Sequence, residues 1–264
     1  MRVRTVDGTL KRCLVGWAII ALISTHAQQF TGFVWPVLTT RNSDPTVNNV
    51  DPTSVPEDEH GWFWQNGFGA SCTQCGNPPS HPYHPGIDLN RLDGKDSEEP
   101  VYSVGEGTVI RTGLVMNDDP SRGETVIVSY ILPATIDFQE YALEATTIPA
   151  AKRFSDVVSV QYMHLQPGTV TVDEGDVIHR GQLIGKISSE MKHLHWEGHV
   201  GSEWRTADPN PVVQVNGYYS SQQAISNWGN INIYELIKDF LYPYDLSAGV
   251  CSDGSIDWMI RSCY

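Results

Sequence analysis

Between residues 101 and 185 the chain carries five short runs of β-branched and aromatic residues, at 101–104, 107–110, 125–130, 157–162 and 182–185. Each is bounded by Gly, Asp or Pro, and no sustained helical periodicity interrupts them. Short runs of this kind read as β-strands. A mainly β protein is therefore expected. The stretch 131–156 lies between two of the runs and far exceeds the two to five residues of a hairpin loop. Its mixed composition predicts an inserted surface element, partly helical.

The one good helical stripe comes late. Ile233, Leu236, Ile237, Phe240 and Leu241 fall at i, i+3, i+4, i+7 and i+8, a single apolar face. Asn232 with Glu235 resembles a capping arrangement, and Pro243 supplies the stop. This predicts a C-terminal extension, 214–264, with one helix packed on the main domain. Residues 32–37 read as a short strand ended by proline, and 39–60, rich in Asn, Asp, Pro, Thr and Glu, as a loop or linker. Together they make an N-terminal strand and polar linker over 28–60.

The start of the chain has the character of an export signal. Arg2, Arg4, Lys11 and Arg12 precede an apolar run at 13–23, and Thr25-His26-Ala27 places small residues where a signal peptidase reads them. Residues 1–27 are expected to be a signal peptide cleaved after Ala27, with an uncleaved anchor as the alternative. The apolar run falls short of the about 20 residues of a membrane span, and no stable span is expected after cleavage. A periplasmic or extracellular location follows.

Removal of that segment takes away four basic and one acidic side chain, moving the formal charge from −14 to −17. So acidic a chain is repelled by nucleic acid and by anionic lipid, which argues against both as partners. Cys72, Cys75, Cys251 and Cys263 remain. In an exported chain their even number favours disulfides, and proximity favours Cys72 with Cys75 and Cys251 with Cys263 among three connectivities. A zinc half-site or a redox pair are the competing readings. The oligomeric state is left open.

Chemistry concentrates at His193-Leu194-His195. On a strand, residues two apart share a face, so both imidazoles would look one way and Leu194 the other. His84 and Asp88 are separated by three residues that include Pro85-Gly86, which makes a helix there improbable. Fully extended, they would stand roughly 13 Å apart, so a bend is required if they share an ion. Two histidines and an aspartate leave a fourth position for water, the arrangement of a catalytic zinc site. His164, in Tyr162-Met163-His164-Leu165, is a further imidazole for proton transfer. Glu197, two residues beyond His195, shares its face; solvation at the strand end is the expectation, with support of a ligand as the alternative. His60, His81, His179 and His199 are read as solvated or structural.

The order of these pieces resembles the lysostaphin and LytM-type zinc endopeptidases, which cut peptide cross-links of bacterial cell walls. The matching pieces are Phe68-Gly69, His84-Pro85-Gly86-Ile87-Asp88-Leu89, the run 100–109, Tyr162-Met163-His164-Leu165, the run 177–185, His193-Leu194-His195-Trp196-Glu197 and Asp208-Pro209-Asn210-Pro211. They place a LytM-like zinc peptidase domain at 61–213, with the insertion at 131–156, and the resemblance implies a mainly β fold, an antiparallel β-sheet or sandwich of the duplicated-hybrid-motif type seen in such domains. The resemblance implies that His84, Asp88 and His195 bind Zn2+, that His164 and His193 position or activate water or stabilise the oxyanion, and that peptidoglycan peptides are the substrate. Three departures lie where the family's substrate groove is expected: Ser71 where an Arg is usual, the shortened loop 186–192, and the insertion. Two alternatives remain: a non-catalytic or weakly catalytic relative that activates other wall hydrolases, a reading the complete set of His84, Asp88, His195, His164 and His193 argues against because such relatives have lost zinc ligands, and a secreted protease acting on Gly-rich proteins.

Overall fold

The β-branched runs become strands, and most are longer than the local sequence marks them. The structure, a computed structural model, describes residues 30, 32–37, 62–71, 82–91, 94–114, 120–202 and 218–240. Its strands are β1 (Trp62–Asn66), β2 (Ile87–Arg91), β3 (Pro100–Tyr102), β4 (Gly107–Leu114), β5 (Glu124–Asp137), β6 (Phe154–Leu165), β7 (Val177–Ile178), β8 (Leu183–Lys186), β9 (Leu194–Val200) and β10 (Asn230–Ile231). Three short helices accompany them: α1 (Ala150–Arg153), α2 (Gln222–Trp228) and α3 (Ile233–Asp239). The main sheet runs β1-β2-β9-β6-β5-β4-β7, β10 pairs with β9, and β3 with β8 form a separate ribbon. Every pairing between these strands is antiparallel, so the fold is mainly antiparallel β, as the sequence predicts.

Strand β9 is the axis of this arrangement. All seven of its residues are buried, because β6 lies along one edge while β2 and then β10 share the other. Leu194 and Trp196 enter the hydrophobic core with Ile87, Leu89 and Tyr162. Period-two alternation then sends His195 and Glu197 to the opposite face. Trp35 covers the core side, its ring 6.4 Å from Trp196 and 5.4 Å from Tyr234.

A buried chain of hydroxyls pins β5, β6 and the turn after β3. The Val104 N–H donates to Tyr162 Oη at 3.0 Å, the two tyrosine hydroxyls lie 2.8 Å apart, Tyr130 Oη is 2.8 Å from Ser103 Oγ, and Ser103 donates to Gly105 O at 2.7 Å. Each oxygen can donate onward in one direction, so every buried polar atom of the chain is satisfied and the bonds polarise one another. Burial raises both tyrosine pKa values.

Three local expectations change. Residues 32–37 run extended and are tied by Phe33 N–H to Phe240 O at 2.8 Å and Val34 N–H to Val104 O at 2.7 Å, but they form no ladder strand; Pro36 lacks the donor that a longer ladder needs. The 131–156 insertion is partly helical, as expected, but its ends are strand: it is the far end of the β5–β6 hairpin. Its tip, a 3-10 turn (Phe138–Tyr141) and α1, buries Phe138, Tyr141 and Ile148 and meets the C-terminal region through Tyr141 O, which accepts from Asn232 N–H at 2.8 Å. Finally, the described residues of the C-terminal region, 218–240, hold two helices. Helix α2 lacks a broad apolar stripe but has strong ends: Ser221 accepts from Ala224 N–H at 3.0 Å, and Gly229 closes it at φ 86°. Asn232 stands at the α3 N-cap without a side-chain cap bond, and its Oδ1 is buried and unpartnered.

The expected signal segment 1–27, most of the 28–60 linker, Cys72, Cys75, Cys251, Cys263 and the run 208–211 lie outside the described residues. Among those described, no helix is long and apolar enough to cross a membrane.

Candidate metal centre

Strand pairing assembles the site in a single row. Asn66 on β1 is opposite Asp88 on β2, Asp88 is opposite His195 on β9, and His195 is opposite Met163 on β6. The bend at Pro85-Gly86 then folds His84 back onto the row. It does so tightly: a Cβ on Gly86 would sit 2.6 Å from Trp196 O and 3.1 Å from His195 Cε1, so only glycine lets the bend lie this close to β9. As the spacing requires, His84 and Asp88 meet; Nε2 and Oδ1 are 3.1 Å apart.

Three potential ligand atoms converge. His84 Nε2 is 2.9 Å from His195 Nδ1, and His195 Nδ1 is 2.9 Å from Asp88 Oδ1. The outward sides of these groups are already committed. His84 Nδ1–H donates to Gly86 O at 2.8 Å, His195 Nε2–H donates to Glu197 Oε2 at 3.1 Å, and Asn66 Nδ2–H donates to Asp88 Oδ2 at 2.7 Å. These bonds leave His84 Nε2 and His195 Nδ1 as the ring atoms that face the carboxylate oxygen. Three such atoms within 3.1 Å of one another call for positive charge between them, a proton or a metal ion. Their separations are slightly below the about 3.3–3.4 Å edge of a tetrahedral site with bonds near 2.0–2.1 Å. His84, Asp88 and His195 can therefore hold a metal ion.

The electrostatics agree with that arrangement. Burial opposes ionisation of Asp88, but His84 and the other imidazoles outweigh it and hold the carboxyl well below its usual range. Burial likewise opposes a charge on His195, yet Asp88 and Glu197 raise this imidazole to about 9. Both shifts mark an electronegative pocket that favours positive charge.

His164 reaches the site through a backbone irregularity. The β5–β6 register slips between the Glu124–Leu165 and Val126–Tyr162 pairs, leaving Met163 and His164 opposite Thr125, a β-bulge. His164 takes φ 65°, a left-handed conformation that histidine tolerates better than most residues. Regular alternation would send it to the core face with Tyr162. The bulge instead swings its ring to 4.7 Å from His193 and 6.0 Å from His195, centroid to centroid. Its Nδ1–H donates to Arg122 O at 2.7 Å, and His193 Nδ1–H donates to Met191 O at 2.7 Å. Burial, reinforced by the neighbouring imidazoles, pushes His164 down to about 3; burial also lowers His193. Each ring thus commits Nδ1 to the backbone, and His193 Nε2 lies 3.6 Å from Asp88 Oδ1.

All five polar residues singled out in the sequence thus meet in one place. Glu197, expected to be solvated at a strand end, is instead buried, accepts from His195 and is itself bonded by Asn230. Sequence reasoning missed Asn66, Asn230 and Tyr218, whose ring centroid is 5.1 Å from His84. None of these three belongs to a local motif. Only the strand register and the path of the distant C-terminal segment bring them here.

No protein-family model matches the sequence, and no match is found among curated proteins. Among solved structures the chain is similar to the SpoIIQ–SpoIIIAH pore forming complex, at 26% identity over 44% of this chain and 57% of that one, TM-score 0.28. A zinc containing peptidase from Vibrio cholerae is 19% identical over 66% of this chain and 37% of that one, TM-score 0.34. The catalytic domain of the antimicrobial peptidase lysostaphin from Staphylococcus simulans is 21% identical over 56% of this chain and 90% of that one, TM-score 0.33. The chain thus spans little more than half of the first of these structures and just over a third of the second. At such TM-scores it is the geometry of the site that bears the chemistry.

Proposed function

We propose that this chain is an exported zinc endopeptidase that hydrolyses peptide bonds in peptidoglycan cross-links. One observation supports it above the others: His84 Nε2, Asp88 Oδ1 and His195 Nδ1 converge within 3.1 Å, while two further imidazoles, His164 and His193, stand beside them. A purely structural ion needs the first group and not the second. Two nitrogens and one oxygen suit zinc, and three protein ligands are the number found in catalytic rather than closed structural sites.

His84, Asp88 and His195 would hold the ion. When bound, zinc supplies a Lewis acid for the scissile carbonyl and brings the pKa of water near 7. His164 and His193 are placed for the proton work. Each commits Nδ1–H to a backbone carbonyl and keeps Nε2 open, so either ring can take the proton from the attacking water and return it to the leaving amine, or donate a hydrogen bond to the developing oxyanion once protonated. Burial disfavours the charged form of both rings. Export through residues 1–27 would deliver the protein to the periplasm or outside the cell.

Mass spectrometry of muropeptides released from purified sacculi tests this reading. The expected result is cleaved cross-links from the wild-type protein and none from His84→Ala, which also fails to retain zinc. Zinc-bound protein that releases nothing would indicate a wall-binding role instead. Cleavage of Gly-rich proteins with intact sacculi would move the substrate outside the wall.

A further inference from the structure

The segment carrying α2 and β10 touches both halves of the metal centre. On the His195 side, Asn230 Nδ2–H donates to Glu197 Oε1, leaving Oε2 to accept from His195 Nε2–H at 3.1 Å. Tyr219 Oη–H donates in turn to Asn230 Oδ1 at 3.2 Å, which fixes the amide the right way round for Glu197. Backbone pairing holds this contact in register: β10 places Asn230 opposite His199 and Ile231 opposite Gly198. Gly198 makes the approach possible, since a Cβ there would lie 2.9 Å from Ile233 Cβ and 3.1 Å from Ile231 Cγ1.

On the His84 side the same segment bonds to the neighbouring residue. Tyr219 and Tyr83 exchange both backbone bonds, at 3.1 and 2.9 Å. Gln222, the first residue of α2, donates from Nε2 to Gly69 O at 3.0 Å, and the Gly69 N–H donates to His84 O at 2.7 Å. Tyr219, Asn230 and Glu197 are almost completely buried, so these bonds act in a medium of low dielectric constant, where orientation is most strongly enforced.

We propose that residues 218–231 form a positioning clamp on the metal centre, with Asn230 acting through Glu197 on His195 and Tyr219 acting through Tyr83 on the bend that bears His84. This rests on the metal-centre reading above. An imidazole ligand is oriented by what its second nitrogen donates to, and that partner by its own bonds; losing such support lowers metal affinity by about 10–100-fold. Asn230 is a positioning residue, remote from the reacting atoms.

The test uses the full chain, stripped of metal and titrated with Zn2+ against a chromophoric chelator, then with Co2+ while its visible absorption is recorded. Asn230→Ala is expected to weaken Zn2+ binding about 10–100-fold and to alter the Co2+ spectrum, because His195 is free to turn. Tyr219→Phe removes only the hydroxyl and keeps the backbone pairing with Tyr83. It should act in the same direction at smaller amplitude, and serves alone if Asn230→Ala fails to fold. Ser103→Ala breaks the buried hydroxyl chain without touching the clamp; it should lower stability and leave the Co2+ spectrum unchanged. Wild-type affinity and spectrum in the variants, or losses no larger than those of Ser103→Ala, overturn the clamp. Failure of the wild-type protein to retain Zn2+ is a different result and overturns the metal centre itself.

Discussion

Replacing Gly86 with alanine puts the close packing of the site under direct test. The added Cβ would meet Trp196 O at 2.6 Å, Glu197 Cβ at 3.0 Å and His195 Cε1 at 3.1 Å. Trp196 cannot withdraw, because it is fully buried and pairs with Ile87 on one side and Tyr162 on the other. The bend must move instead, by about 0.8 Å to reach an ordinary 3.4 Å contact. If the displacement falls along the line between the rings, His84 Nε2 opens from 2.9 Å to about 3.7 Å from His195 Nδ1, past the about 3.4 Å edge of a tetrahedral zinc site. Overpacking of this size costs about 1–3 kcal/mol of stability, and the misplaced ligand should weaken zinc about 10–100-fold. Denaturant melts of the metal-free protein and chelator competition measure the two effects separately. Wild-type stability together with wild-type zinc affinity would refute the account, since it would mean the bend does not lie against Trp196.

Two further perturbations separate chemistry from architecture. His164→Asn keeps a residue that tolerates the φ 65° backbone while removing the imidazole; zinc affinity should be unchanged and the rate of cross-link cleavage should fall about 10²–10⁴-fold, and an unaltered rate would remove His164 from the proton chemistry. Tyr130→Phe interrupts the hydroxyl chain, leaving Tyr162 without its acceptor and Ser103 without its donor; about 1–3 kcal/mol of stability should be lost, seen as a thermal midpoint several degrees lower with zinc binding intact.

Much of this protein was readable in the chain because the determining forces are local. The β-branched runs between 101 and 185 specify antiparallel strands through side-chain shape and alternation, and His193 and His195 share a face because a strand repeats every two residues. Pro85-Gly86 announces a bend, and two imidazoles with a carboxylate announce a cation. What the chain could not show by itself depends on register between strands distant in sequence. The slip against Thr125 turns His164 into the site, and no residue near position 164 signals it.

The two ends of the insertion looked like loop because strand propensity fades near Pro133; pairing between β5 and β6, through Ile136 with Ser155 and Asp137 with Phe154, extends the hairpin regardless. Helix α2 escaped the periodicity test because tertiary packing and its Ser221 and Gly229 caps, rather than an apolar stripe, define it. The residue types of the candidate site were thus determined by the sequence. Their orientation, and the support of Glu197 by Asn230, were decided only in three dimensions: a hydrogen bond fixes how a ring is turned, and the partner that holds Glu197 comes from a segment more than thirty residues away.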